Sequence, residues 1–251
     1  MFLALDIGNT QIKAGWHDGT AWQRVEHVPS DPAAEWPTVL ARWAEDVTAV
    51  GMASVVPVLT HALTEATRRT LGFTPAIVSA TLSFPFRLAY STPETLGADR
   101  LAAAAAAWLQ FGRNDDGAAR AVVALDAGTA LTTEVITADG TYLGGAIAPG
   151  PALLRQALAQ GTAQLPEVDW PDTPYAVGDS TTDAIAAGLS TLFLDGVQGL
   201  LDRTAVHLQT NPFVVATGGW APWLDRYLPG IHRVEPHLVL DGIRLLTESA
   251  A

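Results

Sequence analysis

Two stretches of the chain share one pattern of apolar and polar positions. Residues 3–19 (LALDIGNTQIKAGWHDG) and 124–140 (ALDAGTALTTEVITADG) each carry an apolar run into Leu-Asp, turn over small residues, alternate apolar with polar positions, and close on Asp-Gly. Alternation at period two marks a half-buried strand, and Gly-Asn or Asp-Gly between such runs marks a hairpin turn. Asp6 therefore corresponds to Asp126 and Gly8 to Gly128, at a spacing of about half the chain. The pattern predicts strands at 2–8, 11–17 and 21–28 and again at 120–126, 130–137 and 141–146, so each half opens as a β-meander.

Between and after the meanders the period changes. Trp36, Val39, Leu40 and Trp43 recur at helical spacing, which predicts a helix over 32–46 with its tryptophans in a core stripe. A buried strand at 47–53 leads to a helix from Pro57 to Leu71, where proline suits the first turn. Short extended segments follow at 75–79 and 84–90, their prolines favouring edges, and then an alanine-rich helix, LAAAAAAWLQFG. GRNDDGAAR (112–120) is the most turn-rich stretch and marks the division into domains 1–116 and 117–251. The second half adds a helix at 149–160, an irregular Pro-rich loop at 161–180, and a long helix from Ser180 or Thr181 to about Val206. A strand over 213–219 ending in Gly-Gly, a short helix APWLDRYL, and a final helix at 238–248 complete it.

Composition narrows the class. Of 251 residues 49% are hydrophobic and 16% charged, which excludes a disordered chain. No apolar run approaches the roughly 20 residues that span a bilayer, and Met1-Phe2 opens directly into a strand with no leader pattern, so a cytoplasmic protein without membrane attachment is expected. The chain has no cysteine, which removes disulfides and thiolate chemistry and fits a reducing compartment. A net charge of −12 with scattered arginines leaves no basic stripe for nucleic acid. The one lysine, Lys13, sits in the first hairpin. The six histidines, His17, His27, His61, His207, His232 and His237, show no ligand spacing and read as surface or packing residues.

The paired turns are the candidate chemistry. A carboxylate at a strand end beside a glycine turn lets backbone N–H groups approach an anion, while the carboxylate can hold Mg²⁺ through its waters. Asp6-Ile7-Gly8-Asn9-Thr10 and Asp126-Ala-Gly128-Thr129 both have this form, and Lys13 would neutralise phosphate. Taken alone each is an ordinary hairpin; the repetition argues for a nucleotide in a cleft between two related domains. VVATGG (214–219) leaves room for a flat base or ribose, and Trp220 and Trp223 beside it could wall the base.

Asp6 and Asp126 with their turns and the late TGG, in that order, resemble the two phosphate motifs and the adenosine motif of the acetate and sugar kinase/Hsp70/actin superfamily. The closer resemblance, over essentially the whole chain, is to type III pantothenate kinase, the family of the Bvg accessory factor. It rests on DIGNTxxK (6–13), SVVP (54–57), Tyr90 with GADR (97–100), DAGTA (126–130), YLGGAIAPG (142–150), Leu165-Pro166, Gly178 with Thr181, and ATGG (216–219). The resemblance implies an α/β fold of two ribonuclease H-like domains. It implies ATP-dependent phosphorylation of pantothenate to 4′-phosphopantothenate, with Asp99 as proton acceptor and Tyr90, Gly97, Ala98, Asp99, Arg100 and Thr181 contacting pantothenate. Asp6, Ile7, Gly8, Asn9, Thr10, Gln11, Ile12, Lys13 and Thr129 would bind ATP with Mg²⁺, and Asp126 a monovalent cation, K⁺ or NH₄⁺. Thr181 would reach the partner's site in a homodimer, although Ser180 with Asp183 also reads as a helix cap. The apolar surplus on helix 181–206 (Ile185, Leu189, Leu192, Phe193, Val197, Leu200, Leu201) independently predicts a partner. Glu134 stands where the family usually has Asp, which leaves the geometry near the cation open. A catalytically silent nucleotide-binding regulator of the same fold, or a kinase for another small alcohol or acid, is the competing expectation; the intact GADR favours the pantothenate kinase.

Overall fold

The structure, a computed structural model, describes residues 1–31 and 33–250, so Pro32 and Ala251 lie outside it. The chain divides into two compact units, Met1–Leu109 with His237–Ala251, and Gln110–Pro236.

The first unit contains β1 (Phe2–Ile7), β2 (Gln11–His17), β3 (Trp22–Pro29), α1 (Trp36–Trp43), β4 (Ala49–Ser54), α2 (Pro57–Leu71), β5 (Ala76–Ile77), β6 (Arg87–Leu88), a 3₁₀ turn at Pro93–Thr95, and α3 (Ala98–Phe111). Its sheet runs β3-β2-β1-β4-β5, with β1 antiparallel to β2 and parallel to β4. The second unit contains β7 (Val122–Ala127), β8 (Ala130–Ile136), β9 (Thr141–Gly144), β10 (Ile147–Pro149), α4 (Pro151–Gln160), α5 (Thr181–Leu208), β11 (Phe213–Thr217), α6 (Ala221–Asp225) and β12 (Arg233–Val234). Its strands lie in the order β12-β11-β7-β8-β9, with β10 against β8. The chain then returns to the first unit as α7 (Leu238–Ala250).

Period-two alternation decides the layers. In β1 the odd residues Leu3, Leu5 and Ile7 enter one core with Trp36, Leu40 and Trp43 of α1 and Leu59 and Leu63 of α2. Trp16 on β2 donates its indole N–H to the carbonyl of Trp43 at 3.0 Å. The even face, with Phe2, Ala4 and Asp6, receives α7. A Cβ on Gly51, which pairs with Ala4, would fall 2.7 Å from Ile243 and 2.8 Å from Phe2. A Cβ on Gly242 would stand 1.9 Å from the Ala102 carbonyl, so α7 and α3 meet backbone to backbone. Alanine is the side chain such closeness allows, and Ala102 to Ala107 are all buried.

In β7 the odd residues Val123, Leu125 and Ala127 form the second core with Phe193, Val197 and Leu201 of α5. Asp126 therefore lies on the other face of that sheet. Gly19 and Gly140, closing the two meander turns, have φ of +103° and +74°, which explains Asp-Gly at both.

Several expectations change. The helix expected over 32–46 spans only Trp36–Trp43, and its expected start, Pro32, lies outside the described residues. The strand expected to 219 stops at Thr217, because Gly218 turns into the left-handed region. β12, two residues long, carries no readable period. The compact units differ from the 1–116 and 117–251 division, since α7 packs on the first sheet. α5 also corrects the view that no segment reaches membrane-spanning length. Among the described residues it is one helix long and apolar enough by length and composition alone. Its apolar content has another use: Ile185, Leu189, Phe193, Val197 and Leu201, spaced by four, are buried within the second unit.

Candidate active site

The two hairpins are built alike. Ile7 pairs with Ile12 and Asp6 with Lys13; Ala127 pairs with Leu131 and Asp126 with Thr132. The first turn is closed by Gly8 N–H to the Gln11 carbonyl at 3.1 Å, the second by Gly128 N–H to the Ala130 carbonyl at 3.0 Å. The second turn is one residue shorter, so the structural counterpart of Lys13 is Thr132, and the cation belongs to the first hairpin alone. Ser30, just beyond β3, braces the first turn, donating its hydroxyl to the Gly8 carbonyl at 2.6 Å and its N–H to the Thr10 carbonyl at 3.1 Å. Asn9, Thr10 and Gln11 are exposed, Ile7 and Ile12 are core residues, and Asp6 and Lys13 are half-buried. A rigid exposed turn flanked by a carboxylate and an ammonium suits a metal-bound polyphosphate. His27 pairs across from Lys13. Burial, and then the Lys13 charge, hold its pKa below the usual histidine value.

In the second unit the chain ends converge on Asp126. β11 runs parallel to β7 with Thr217 opposite Asp126, and Gly218 follows at φ +87°. A Cβ there would lie 2.5 Å from Asp126 Oδ1 and 2.6 Å from the Ala127 carbonyl. Trp220 N–H donates to that carbonyl at 3.0 Å. Gly150 closes the other side, where a Cβ would fall 2.3 Å from the Gly128 carbonyl and 2.6 Å from that of Thr129. Gly218 and Gly150 thus let backbone approach the Asp126 hairpin closely from two sides, and Thr129 is exposed at the turn's tip.

Glu134 pairs with Ala124, on the same sheet face as Asp126 and one pleat deeper. It is 1% exposed and accepts a hydrogen bond from the Tyr142 hydroxyl at 2.5 Å. The sequence signals Tyr142 as its holder only by a tyrosine in the strand that follows Glu134.

GADR starts α3. The helix opens with Leu101 N–H to the Gly97 carbonyl at 3.1 Å. Asp99, half-buried in the first turn where the helix dipole favours an anion, accepts from the Arg100 N–H at 2.9 Å. Its Oδ1 leans over Gly97: a Cβ on that residue would be 2.5 Å away. Ala98 is buried, and Arg100 is only 8% exposed, so it is no ordinary surface charge. Tyr90 is half-buried between β6 and the Pro93–Thr95 turn. Thr181 opens α5 and is exposed. The cap is Ser180, whose hydroxyl accepts from Asp183 N–H at 3.1 Å, so the capping motif does not use Thr181.

Comparison with known proteins identifies the family. Residues 2–203 match the family described as type III pantothenate kinase. Proteins of that name from Anaeromyxobacter sp. (strain K) and Moorella thermoacetica are 36% and 34% identical over 99% of this chain and 99% of their own. Among solved structures, a Baf family transcriptional activator from Campylobacter jejuni aligns with TM-score 0.62 and 20% identity over 98% of both chains. A ROK hexokinase from Thermus thermophilus aligns with TM-score 0.52 and 18% identity, covering 98% of this chain and 97% of its own. These structural likenesses show the fold alone: two α/β units, each with a sheet that opens as a β-meander.

Proposed function

Because the chain belongs to the type III pantothenate kinase family, we propose that it transfers the γ-phosphoryl group of ATP to the primary hydroxyl of pantothenate. The products are ADP and 4′-phosphopantothenate, in the opening step of coenzyme A biosynthesis. The observation that carries this reading is Asp99, aimed over Gly97 at the start of α3 in a chain that also keeps both phosphate turns.

Pantothenate is an anion with a weakly acidic alcohol. The buried Arg100 supplies a planar fork for its carboxylate, with Tyr90, Gly97 and Ala98 completing the acceptor loop. Asp99 accepts the hydroxyl proton as the oxygen forms its bond to phosphorus and the bond to the ADP oxygen breaks. Residues Asp6 to Lys13 hold the ATP phosphates through turn N–H groups and the Lys13 ammonium, and Thr129 contacts the nucleotide from the second hairpin. Asp6 suits Mg²⁺ bound through water, and the ion supplies charge neutralisation at the transferring group. Asp126, in the hairpin that Gly218 and Gly150 approach closely, would hold K⁺ or NH₄⁺, as the resemblance to the family implies.

The enzyme works as a homodimer in the cytoplasm. Cytoplasmic placement rests on a cysteine-free composition. Dimerisation rests on α5, whose Leu192 is 63% exposed beside an apolar groove of about 610 Å³ that Thr181 borders. A second copy covering this groove would take up Thr181 as part of its acceptor site. Pantothenate-dependent ADP release with ATP, Mg²⁺ and K⁺ tests the function. A folded protein that turns over glucose or acetate instead, or nothing, refutes it.

A further inference from the structure

The loop 161–180 is the longest segment without regular structure in the second unit, yet it is fastened at several points. Arg155 of α4 donates to the Val168 carbonyl at 2.9 Å. Trp223 donates its indole N–H to the Asp172 carbonyl at 3.0 Å, and the Tyr227 hydroxyl donates to the same carbonyl at 2.9 Å. Tyr175 accepts on its carbonyl from the Thr191 hydroxyl at 3.3 Å, and its own hydroxyl reaches Asp183 Oδ1 at 3.5 Å. Gly178 lies so close to α5 that a Cβ would sit 2.3 Å from the Ala184 nitrogen.

Trp170 lies at the middle of these fastenings. Its ring packs on Trp220 at 5.3 Å, on Phe193 at 5.6 Å and on Trp223 at 5.8 Å between centroids. It also packs against the small cluster of Val168, Ile185, Ala186 and Leu189 beneath the first turns of α5. No other tryptophan touches both that cluster and the main core of this unit among the described residues. One side of the ring meets Trp220, whose N–H is bonded at the Asp126 turn; the other supports the helix that begins with Thr181. Its indole nitrogen is buried without a hydrogen-bond partner among the described residues, so shape alone holds the ring.

We propose that Trp170 is a positioning residue that couples nucleotide at the Asp126–Gly218 turns to the placement of Thr181, and so to the acceptor site that Thr181 completes. This rests on the roles assigned above to Thr129, in the same hairpin as Asp126, and to Thr181. In the dimer it makes nucleotide on one protomer felt at the acceptor site of its neighbour. Packed aromatic rings transmit displacement because they cannot be compressed, only shifted. Coupling between two ligands is reciprocal and amounts to about 5- to 150-fold in affinity for typical cases.

The experiment measures affinity for a non-hydrolysable ATP analogue with and without pantothenate, and the reverse, in the full-length protein. The wild type is expected to show coupling of at least about fivefold in both directions. Trp170→Leu is expected to reduce it to within about twofold of none, whereas Trp170→Phe, which keeps the ring, retains it. Melting temperature is recorded for each, because a purely structural role would lower stability while leaving the coupling factor intact. Unchanged coupling in Trp170→Leu, or no coupling in the wild type, overturns the proposal. A wild type with no pantothenate turnover at all would sink the kinase reading, a separate outcome.

Discussion

Replacing Gly97 by alanine separates catalysis from folding. The added methyl would lie 2.5 Å from Asp99 Oδ1, with Arg100 Cγ at 3.6 Å and Cδ at 3.7 Å. Those Arg100 distances are ordinary contacts, so only the carboxylate has to move, and ordinary contact begins about 0.9 Å further out. Gly97 is not in the left-handed region, so alanine brings no backbone strain and stiffens the unfolded chain. A displacement near 1 Å at a reacting group costs about 10²-fold, which is ~2.7 kcal/mol of activation free energy. The coupled ADP-release assay should therefore show kcat down about 10²-fold, while the melting temperature holds within about 4 °C. In an Asp99→Asn background, itself about 10² or more below wild type, the same change should add little, since both act through one carboxylate. A well-folded Gly97→Ala enzyme with kcat within about threefold of wild type would refute Asp99 as the proton acceptor.

Other outcomes follow from the same geometry. Lys13→Ala should raise KM for ATP about 10-fold or more with a smaller effect on pantothenate; equal effects on both would misplace Lys13. Activity should collapse in Li⁺ or Na⁺ buffer and return with K⁺ or NH₄⁺, and indifference to the cation removes the site at Asp126. Light scattering should give twice the 26.4 kDa chain mass, and mixing inactive Asp99→Asn with inactive Thr181→Ala chains should restore about a quarter of wild-type activity, because one site in each mixed dimer is whole. His17 and His27 both have pKa values lowered from 6.5, His17 chiefly by burial and then by Arg244, His27 by burial and then by Lys13. The unfolded chain binds protons first as pH falls below 6.5, so stability is full above that pH and declines beneath it. Urea melts between about pH 7 and 5 should show a shallower decline for His27→Gln; a steeper one would contradict the sign.

Much of this was legible in the sequence, and particular residues show why the rest was not. Strand β2 and helix α2 fall where alternation and Pro57 place them, because Ile12, Ala14 and Trp16 of β2 and one face of α2 enter the same core. Trp36 and Trp43 are core residues, as their spacing implies. The repeat, read without a gap, holds through Gly8 and Gly128 but slips afterwards, since turn length leaves no mark on an apolar pattern. The correspondence of Lys13 with Thr132 emerges only from the registers. The Glu134–Tyr142 bond joins residues on different strands, and the seat of Trp170 depends on packing from α5 and α6. Neither has a local signature. α7 reads plainly as a helix, while its return to the first unit is a matter of glycine gaps at 15 and 51 in the sheet and at 242 against α3.

That return has a consequence for synthesis on the ribosome. The second unit is one unbroken run of chain and can complete itself once residue 236 has emerged. The first unit, begun earlier, still lacks α7 at that moment, and the sheet surface at Gly15 and Gly51 has nothing over it. A nascent chain therefore carries its earliest strands half-covered through the whole production of the later unit. The unit begun first is finished last, and a chain that stopped after Pro236, short of α7, would have a sound second unit and an open first one.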